Sequence, residues 1–322
     1  LPLDRSSIAT EQRNPRSMNL HTLSIAECVK LINDEDRAVP AALDHARPAI
    51  TAFLEAVEPR FNSGGRLIYI GAGTSGRLGV LDASEAPPTF QVPPDRIIGR
   101  IAGGDSSLRK SSEGKEDDPD GAADDLTALD LTPNDTILGI AAGGTTPYVI
   151  GALGIAKSRF SPTLHSALNA GQPRSRYTAP LTALLACTPI AKPPQADHLI
   201  ILDTGPEVLT GSTRMKAGTA TKLALNTIST TLMVRSGRVY ENLMVDLRAT
   251  NAKLRDRAAR IITTLTSLSR HDAFDLLDRA NGSVKTAIVM HRRGLSREQA
   301  EIVLLHASGR LDAALINTKE PQ

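Results

Sequence analysis

Tryptophan is absent from this 322-residue chain, and aromatic residues make up only 3% of it. Proteins that hold single-stranded nucleic acid stack bases on aromatic side chains, so that class is disfavoured. Opposite charges nearly cancel: 37 Lys and Arg against 35 Asp and Glu leave a net charge of +2. No broad basic field attracts a nucleic-acid backbone, so no nucleic-acid partner is expected. Only two cysteines occur, Cys28 and Cys187, and neither has metal-ligand spacing. They predict buried thiols in a reducing compartment. The seven histidines form no H-E-x-x-H or other ligand pattern, so no metal site is expected. No apolar run reaches the roughly 18 residues that a membrane span needs, and no charged-then-apolar leader opens the chain. These absences predict a soluble, cytoplasmic protein with no membrane partner.

What is present is most informative from Arg66 to Phe90, RLIYIGAGTSGRLGVLDASEAPPTF. The apolar run Leu67 to Ile70 leads into Gly71, Gly73, Thr74, Ser75 and Gly76, then into a helical pattern and a carboxylate, Glu85. A strand that ends in glycines at a helix start presents free backbone N–H groups and a positive helix end to one point. Thr74 and Ser75 add hydroxyl donors. Gly71, Gly73 and Gly76 also satisfy the dinucleotide pattern G-x-G-x-x-G, but the next apolar run reaches an acidic residue, Asp105, somewhat late for a ribose contact. A phosphate ester, a dinucleotide and a ligand-free turn all remain open on this segment alone.

Two further loops favour a sugar phosphate. The run Thr136 to Ala142 ends in Gly143, Gly144, Thr145, Thr146 and Pro147, and the run His198 to Leu202 leads to GPEVLTGSTRMKAGTA, residues 205–220. In that third loop Thr210, Ser212 and Thr213 precede a long helical pattern. In open parallel sheets such loops gather at the carboxyl edge of the strands.

Along the chain, residues 1 to about 18 are polar and read as loose or partner-bound. Helices are predicted over 24–32 and 39–57. Strands are predicted at 66–70, 97–102, 136–141, 183–187 and 198–202. Their alternation with helices argues a parallel α/β sheet with right-handed crossovers. The stretch 161–180 has little periodicity and reads as a surface insertion. From Asn251 onward the pattern is helical, with short helices over 272–280, 283–292 and 296–306. The domain plan is therefore 1–57 as an N-terminal helical segment, 58–250 as the α/β domain and 251–322 as a C-terminal helical domain.

The motifs GAGTSGRLGVLDASEAPPTF, GPEVLTGSTRMKAGTA and NLMVDLRATNAKLRDRA together resemble the N-acetylmuramic acid 6-phosphate etherases, as do INDEDRAVPAAL (residues 32–43) and GSVKTAIVM (residues 282–290). The resemblance implies a sugar isomerase (SIS) fold: a five-stranded parallel sheet flanked by helices, with a small, UBA-like helical C-terminal domain. It implies a homodimer that shares its sites across a two-fold interface, with 1–57 a candidate part of that interface. It implies no metal and no organic cofactor. The small-molecule partner would be a sugar phosphate whose lactyl ether is cleaved to N-acetylglucosamine 6-phosphate and D-lactate.

Carried onto this chain, the resemblance makes Glu85 and Glu116 the catalytic pair. Glu116 follows from the register of Glu113-Gly114 and Glu116-Asp117, with Lys115 in place of a small residue. A close ammonium there would lower the carboxylate pKa. Substrate contacts fall on Gly73, Thr74, Ser75, Gly144, Thr145, Thr146, Glu207, Ser212, Thr213 and Lys216. Glu207 admits two readings, a partner of sugar hydroxyls or a helix cap, and Lys216 is either a phosphate ligand or structural. The second loop departs from the family's S-G-R-T-P, which removes a serine and an arginine. The open-chain sugar has an acidic C2 hydrogen beside its aldehyde. A base takes it, and the C3 lactyl oxygen leaves with a proton from an acid. The family assigns the base to Glu116 and the acid to Glu85. Two other classes share the phosphate loops: a non-catalytic sugar-phosphate sensor like glucokinase regulatory protein, and an aldose–ketose isomerase. Neither needs both carboxylates.

Overall fold

The computed structural model describes residues 5–6, 8–110, 113–158, 176–247, 249 and 251–316. The expected insertion at 161–180 lies outside them through residue 175.

The chain divides into two compact units, residues 1–85 with 94–229, and residues 86–93 with 230–322. The first opens with three short 3-10 turns between Ala9 and Thr22, then α1 (Ile25–Asp36) and α2 (Ala38–Asn62). A capping box starts α1: Ser24 Oγ accepts from the Glu27 amide while Glu27 Oε2 accepts from the Ser24 amide at 2.8 Å. The strands follow as β1 (Leu67–Gly71), β2 (Ile97–Ile101), β3 (Thr136–Ile140), β4 (Leu181–Ala186) and β5 (His198–Ile201). Between them run α3 (Gly73–Phe90), α4 (Ala123–Ala128) and α5 (Pro147–Ser158), and α6 (Lys216–Arg235) follows β5. The sheet order is β2-β1-β3-β4-β5 and every pairing is parallel. This is the α/β architecture of the SIS fold.

Residues of β1, β3 and β4 are buried throughout, which explains their continuous apolar runs. Ile68, Ile70, Ile137 and Leu184 form one core with Leu126, Tyr148, Val149 and Leu153 of α4 and α5. On the other face of β1, Tyr69 lies against Gly79 of α3 and donates to Asp82 at 3.0 Å. Asp82 also accepts from Ser229 at 3.3 Å and pairs with Lys222 at 3.5 Å, so α3 and α6 are tied together. The order reverses between β1 and β3, since β2 lies to one side of β1 and β3 to the other. Ligand crevices in open sheets form at such a switch point.

The N-terminal edge of this pair is held by Asp135, which is 1% exposed. It accepts from the Arg66 amide at 2.8 Å, Arg66 Nη2 at 2.6 Å and the Thr132 amide at 2.7 Å.

Among its described residues the second unit holds an antiparallel hairpin, β6 (Val239–Tyr240) with β7 (Leu243–Met244), followed by the helices α7 (Ala252–Thr266), α8 (Arg270–Arg279), α9 (Val284–Arg293), α10 (Arg297–His306) and α11 (Leu311–Leu315). Ile262, Leu277, Ile288 and Leu304 share its core. Lys285 anchors the hairpin by pairing with Asp246 at 3.1 Å.

The sequence reading of residues 1–18 as loose does not hold for the described part. Thr10 is fully buried and Asn14 is 4% exposed. The Ala9 amide donates to Thr188 Oγ1 at 3.1 Å. Polar composition hides this because the segment buries polar side chains rather than apolar area.

Replacing Asp135 with Ala strands the Arg66 guanidinium and two amides. The expected loss is about 3–5 kcal/mol in urea unfolding. A loss under about 1 kcal/mol, the value of an exposed pair, would contradict this role.

Candidate active site

β1 ends at Gly71 and α3 begins at Gly73. The turn is this tight because side chains are missing where backbones meet. A Cβ on Gly71 would lie 2.6 Å from the Gly76 nitrogen, and one on Gly76 would lie 2.6 Å from Ile101 Cγ1. Gly73 itself has φ +50°, in the left-handed region. The Gly76 amide donates to Ala72 O at 3.1 Å. The amides of Gly73, Thr74 and Ser75 come before that bond and have no acceptor one turn back within the helix. With the positive end of an 18-residue helix behind them, they form a seat for an anion.

Glu116 stands at this seat. Its Oε1 lies 3.0 Å from the point where a Gly73 Cβ would be. Its backbone carbonyl accepts from the Tyr148 amide at 3.0 Å, which fixes it to the first turn of α5. Thr145 and Thr146, half-buried, lie just before that turn, and Thr146 O accepts from Val149 and Ile150. Gly144 has φ +72°, and a Cβ there would meet Ile190 Cδ1 at 2.5 Å. Glu116 thus meets the first loop through its side chain and the start of α5, which follows the second loop, through its backbone. Lys115 is exposed.

The third loop reaches the first through Gly218. A Cβ on Gly218 would touch Thr213 O at 3.4 Å and Thr74 Cγ2 at 3.5 Å. Ser212 and Thr213 are half-buried. Glu207 and Lys216 are engaged elsewhere. Glu207, fully buried, accepts from the Lys216 amide at 3.1 Å and the Ala217 amide at 2.9 Å, so it caps α6. Burial pushes its pKa up, against those two amides. Lys216 is 3% exposed and its Nζ donates to Glu35 Oε2 at 2.9 Å.

Glu35 and the N-terminal turns are the residues that sequence reasoning missed. Glu35 Oε2 also accepts from Asn14 Nδ2 at 2.7 Å, and Oε1 pairs with Arg16 at 3.0 Å. Asn14 Nδ2 further donates to Pro206 O at 3.2 Å. Burial alone would raise the Glu35 pKa, but Lys216, Asn14 and Arg16 together hold it below the usual carboxylate range. Glu11 Oε2 lies 3.1 Å from the Cβ position of Gly211. The one available signal was INDEDRAVPAAL, where Glu35 sits in an acidic run that reads as a solvated helix face.

Glu85 lies apart. It is exposed, twelve residues beyond Gly73 on the same helix. At the α-helical rise that is about 18 Å along the axis. Burial pushes the Cys187 thiol up to about 12, which fits an inert core thiol. Among the described residues no group of three or more His, Cys, Asp or Glu forms a metal cluster, and no helix is long and apolar enough to cross a membrane.

The chain is 46% identical over 313 residues to N-acetylmuramic acid 6-phosphate etherase of Crocosphaera subtropica, covering 97% of this chain and 96% of that protein. It is 47% identical over 308 residues to the protein of that name from an Exiguobacterium species, covering 96% of this chain and 99% of that one. The chain belongs to the N-acetylmuramic acid 6-phosphate etherase family. Actinobacillus succinogenes has another etherase relative, 46% identical over 310 residues, with 96% of each covered. Residues 49–157 also match the model of the glucokinase regulatory protein N-terminal SIS domain. That stretch holds the first two loops and both glutamates. The third loop lies outside it, but inside the etherase alignments' near-complete coverage.

Two outcomes follow from this geometry. A hydrogen bond to a charged group contributes roughly 1.5–3 kcal/mol. Ser75→Ala is therefore expected to weaken sugar 6-phosphate binding by about 10- to 100-fold in calorimetry, leaving the unphosphorylated sugar unaffected. Equal loss for both sugars would remove Ser75 from the phosphate seat. For Glu35 the folded pKa is depressed, so its stabilisation is present above the ordinary value of 4.5 and lost as pH falls through the lower folded value. The stability gap between wild type and Glu35→Gln, measured by urea unfolding, should shrink below pH 4.5. A gap that widens on acidification would contradict this.

Proposed function

We propose that this chain is a carbon–oxygen lyase that cleaves the D-lactyl ether of N-acetylmuramate 6-phosphate, giving N-acetylglucosamine 6-phosphate and D-lactate. The observation that supports this most is the Glu116 carboxylate beside the helix start built for an anion. The kinship with the etherases names the chemistry.

In this reading the phosphate rests on the amides and hydroxyls of Gly73, Thr74 and Ser75, with Ser212 and Thr213 contributing from the third loop. Gly144, Thr145 and Thr146 line the opposite side, and Thr145 supplies the hydroxyl donor lost with the family's serine, whose place Gly143 takes. Glu207 and Lys216 act on the loop rather than on the sugar. The open-chain aldehyde makes the C2 hydrogen acidic, and Glu116 removes it. The C2–C3 double bond forms as the C3–O bond breaks, and lactate leaves with a proton from Glu85. Water then adds at C3, giving its proton to Glu85, while Glu116 returns a proton to C2. The sum is ether plus water to alcohol plus lactate. Each proton transfer is worth about 10²–10⁴-fold.

The separation of about 18 Å along α3 supports a homodimer in which Glu85 of the partner subunit completes the site. Helices α1 and α2, with the N-terminal turns, remain candidates for its interface. Charged sugar phosphates do not cross membranes freely, which fits action in the cytoplasm.

The test is D-lactate release from N-acetylmuramate 6-phosphate. Glu116→Gln should abolish both lactate release and exchange of the C2 hydrogen with deuterated water. Glu85→Gln should block release while slow exchange persists, because abstraction reverses when the leaving group cannot depart. Mixing the two inactive variants should restore about one quarter of wild-type turnover, since half the dimers are mixed and each carries one intact site. Tight binding by wild type without turnover would favour the sensor reading instead. A mixture with no activity would place both glutamates of each site in one chain.

A further inference from the structure

The buried charges around Lys216 have no part in the chemistry above, yet they cluster against the loop that carries Ser212 and Thr213. Lys216 is the first residue of α6, at the positive end of a 20-residue helix, and is 3% exposed. A buried ammonium there is doubly unfavourable, through lost hydration and through the helix dipole. Two carboxylates from different directions answer it. Glu207 takes the amides of Lys216 and Ala217, which closes the loop onto its own helix. Glu35, at the end of α1, takes the ammonium at 2.9 Å.

Glu35 is also where the N-terminal turns attach. Asn14 reaches it at 2.7 Å and Arg16 at 3.0 Å, while the same Asn14 amide holds Pro206 O at 3.2 Å. From this anchor the N-terminal turns run over two loops. Ile8 and Thr10 lie 3.8 and 3.9 Å from the Cβ position of Gly143, and Glu11 lies 3.1 Å from that of Gly211. Thr213 O and Thr74 Cγ2 in turn both flank Gly218, 3.4 and 3.5 Å from its Cβ position. One carboxylate thereby joins α1, the N-terminal turns and the third loop, whose Thr213 backbone lies beside Gly218 with Thr74 of the first loop.

We infer that Glu35 is a positioning residue for the sugar-phosphate site, acting through Lys216 to hold Ser212 and Thr213 against Thr74 and Ser75. This rests on the reading of those loops as the phosphate site given above. It gives the N-terminal turns a task in binding, and it places Lys216 on Glu35 rather than on the ligand. Removing the Glu35 charge frees the loop to move from the first-loop amides, which weakens binding without touching the groups that move protons.

The test uses the full chain and N-acetylglucosamine 6-phosphate as the probe, so that it is read as a Kd and does not depend on turnover. Glu35→Gln, Lys216→Met and the double variant Glu35→Leu/Lys216→Met are compared by calorimetry. The double variant removes both members of the buried ion pair, so it remains folded where a single variant fails. Each single variant is expected to raise Kd about tenfold, and the double no more than that, because the two residues act as one unit. KM for lactate release should rise in step, with kcat within about twofold of wild type. An unchanged Kd in the double variant would overturn the proposal and leave the pair a purely structural one. Losses that add in the double variant, with Lys216→Met much the larger, would overturn it by placing Lys216 on the phosphate. A wild-type protein that binds the probe but releases no lactate would overturn the etherase reading alone, and the Kd comparison would still decide the role of Glu35.

Discussion

The site depends on one close approach: the start of α3 lies directly on the end of β1, with no side chain at Gly71 or Gly76 to hold them apart. A methyl group at either position would meet backbone or Ile101 at under 3 Å. That contact aims the first amides of the helix out over the sheet edge at the β1–β3 switch point. It also leaves a bare surface at Gly73, and Glu116 occupies the space beside it. A larger residue at position 73 would displace the carboxylate as well as strain the turn. One backbone arrangement therefore sets both the anion seat and the distance from that seat to a proton acceptor.

The electrostatics around this contact are divided by location. The first-loop amides stay available at the head of α3. The corresponding amides of α6 are consumed by Glu207, so the two helix starts are not equivalent and α6 is not a second anion seat. The Lys216 ammonium is likewise neutralised by Glu35. Breaking such a buried pair by removing one partner typically costs about 3–5 kcal/mol, which is why the loop is held rather than free. Stabilisation is spent on the geometry of the third loop, while charge recognition is left to the first.

Much of this was legible in the sequence. The five strands were read to within a residue or two, because continuous apolar runs bounded by glycine leave little choice in a doubly covered parallel sheet. The first loop announced itself through Gly71, Gly73 and Gly76, whose spacing has a backbone reason. The N-terminal turns were not legible: Thr10 and Asn14 are polar residues that the fold buries, Asn14 through hydrogen bonds to Glu35 and Pro206, and no periodicity marks that. The two readings of Glu207 and of Lys216 could not be separated from spacing, since their partners are the local amides of α6 and Glu35, the latter 181 residues away. The distance between Glu85 and Glu116 was hidden for the same reason. One residue lies far down a helix and the other on a loop, and only the fold sets the gap.

The central claim is that the head of α3 takes the phosphate while Glu116 stands beside it. The most direct measurement is a titration of the labelled protein with N-acetylglucosamine 6-phosphate, followed by NMR at the backbone amides of Gly73, Thr74 and Ser75. The account predicts large downfield shifts at these three amides, much smaller ones with unphosphorylated N-acetylglucosamine, and no comparable shift at the amides of Lys216 and Ala217. Shifts concentrated at Lys216 and Ala217, with Gly73 to Ser75 unmoved, would contradict it.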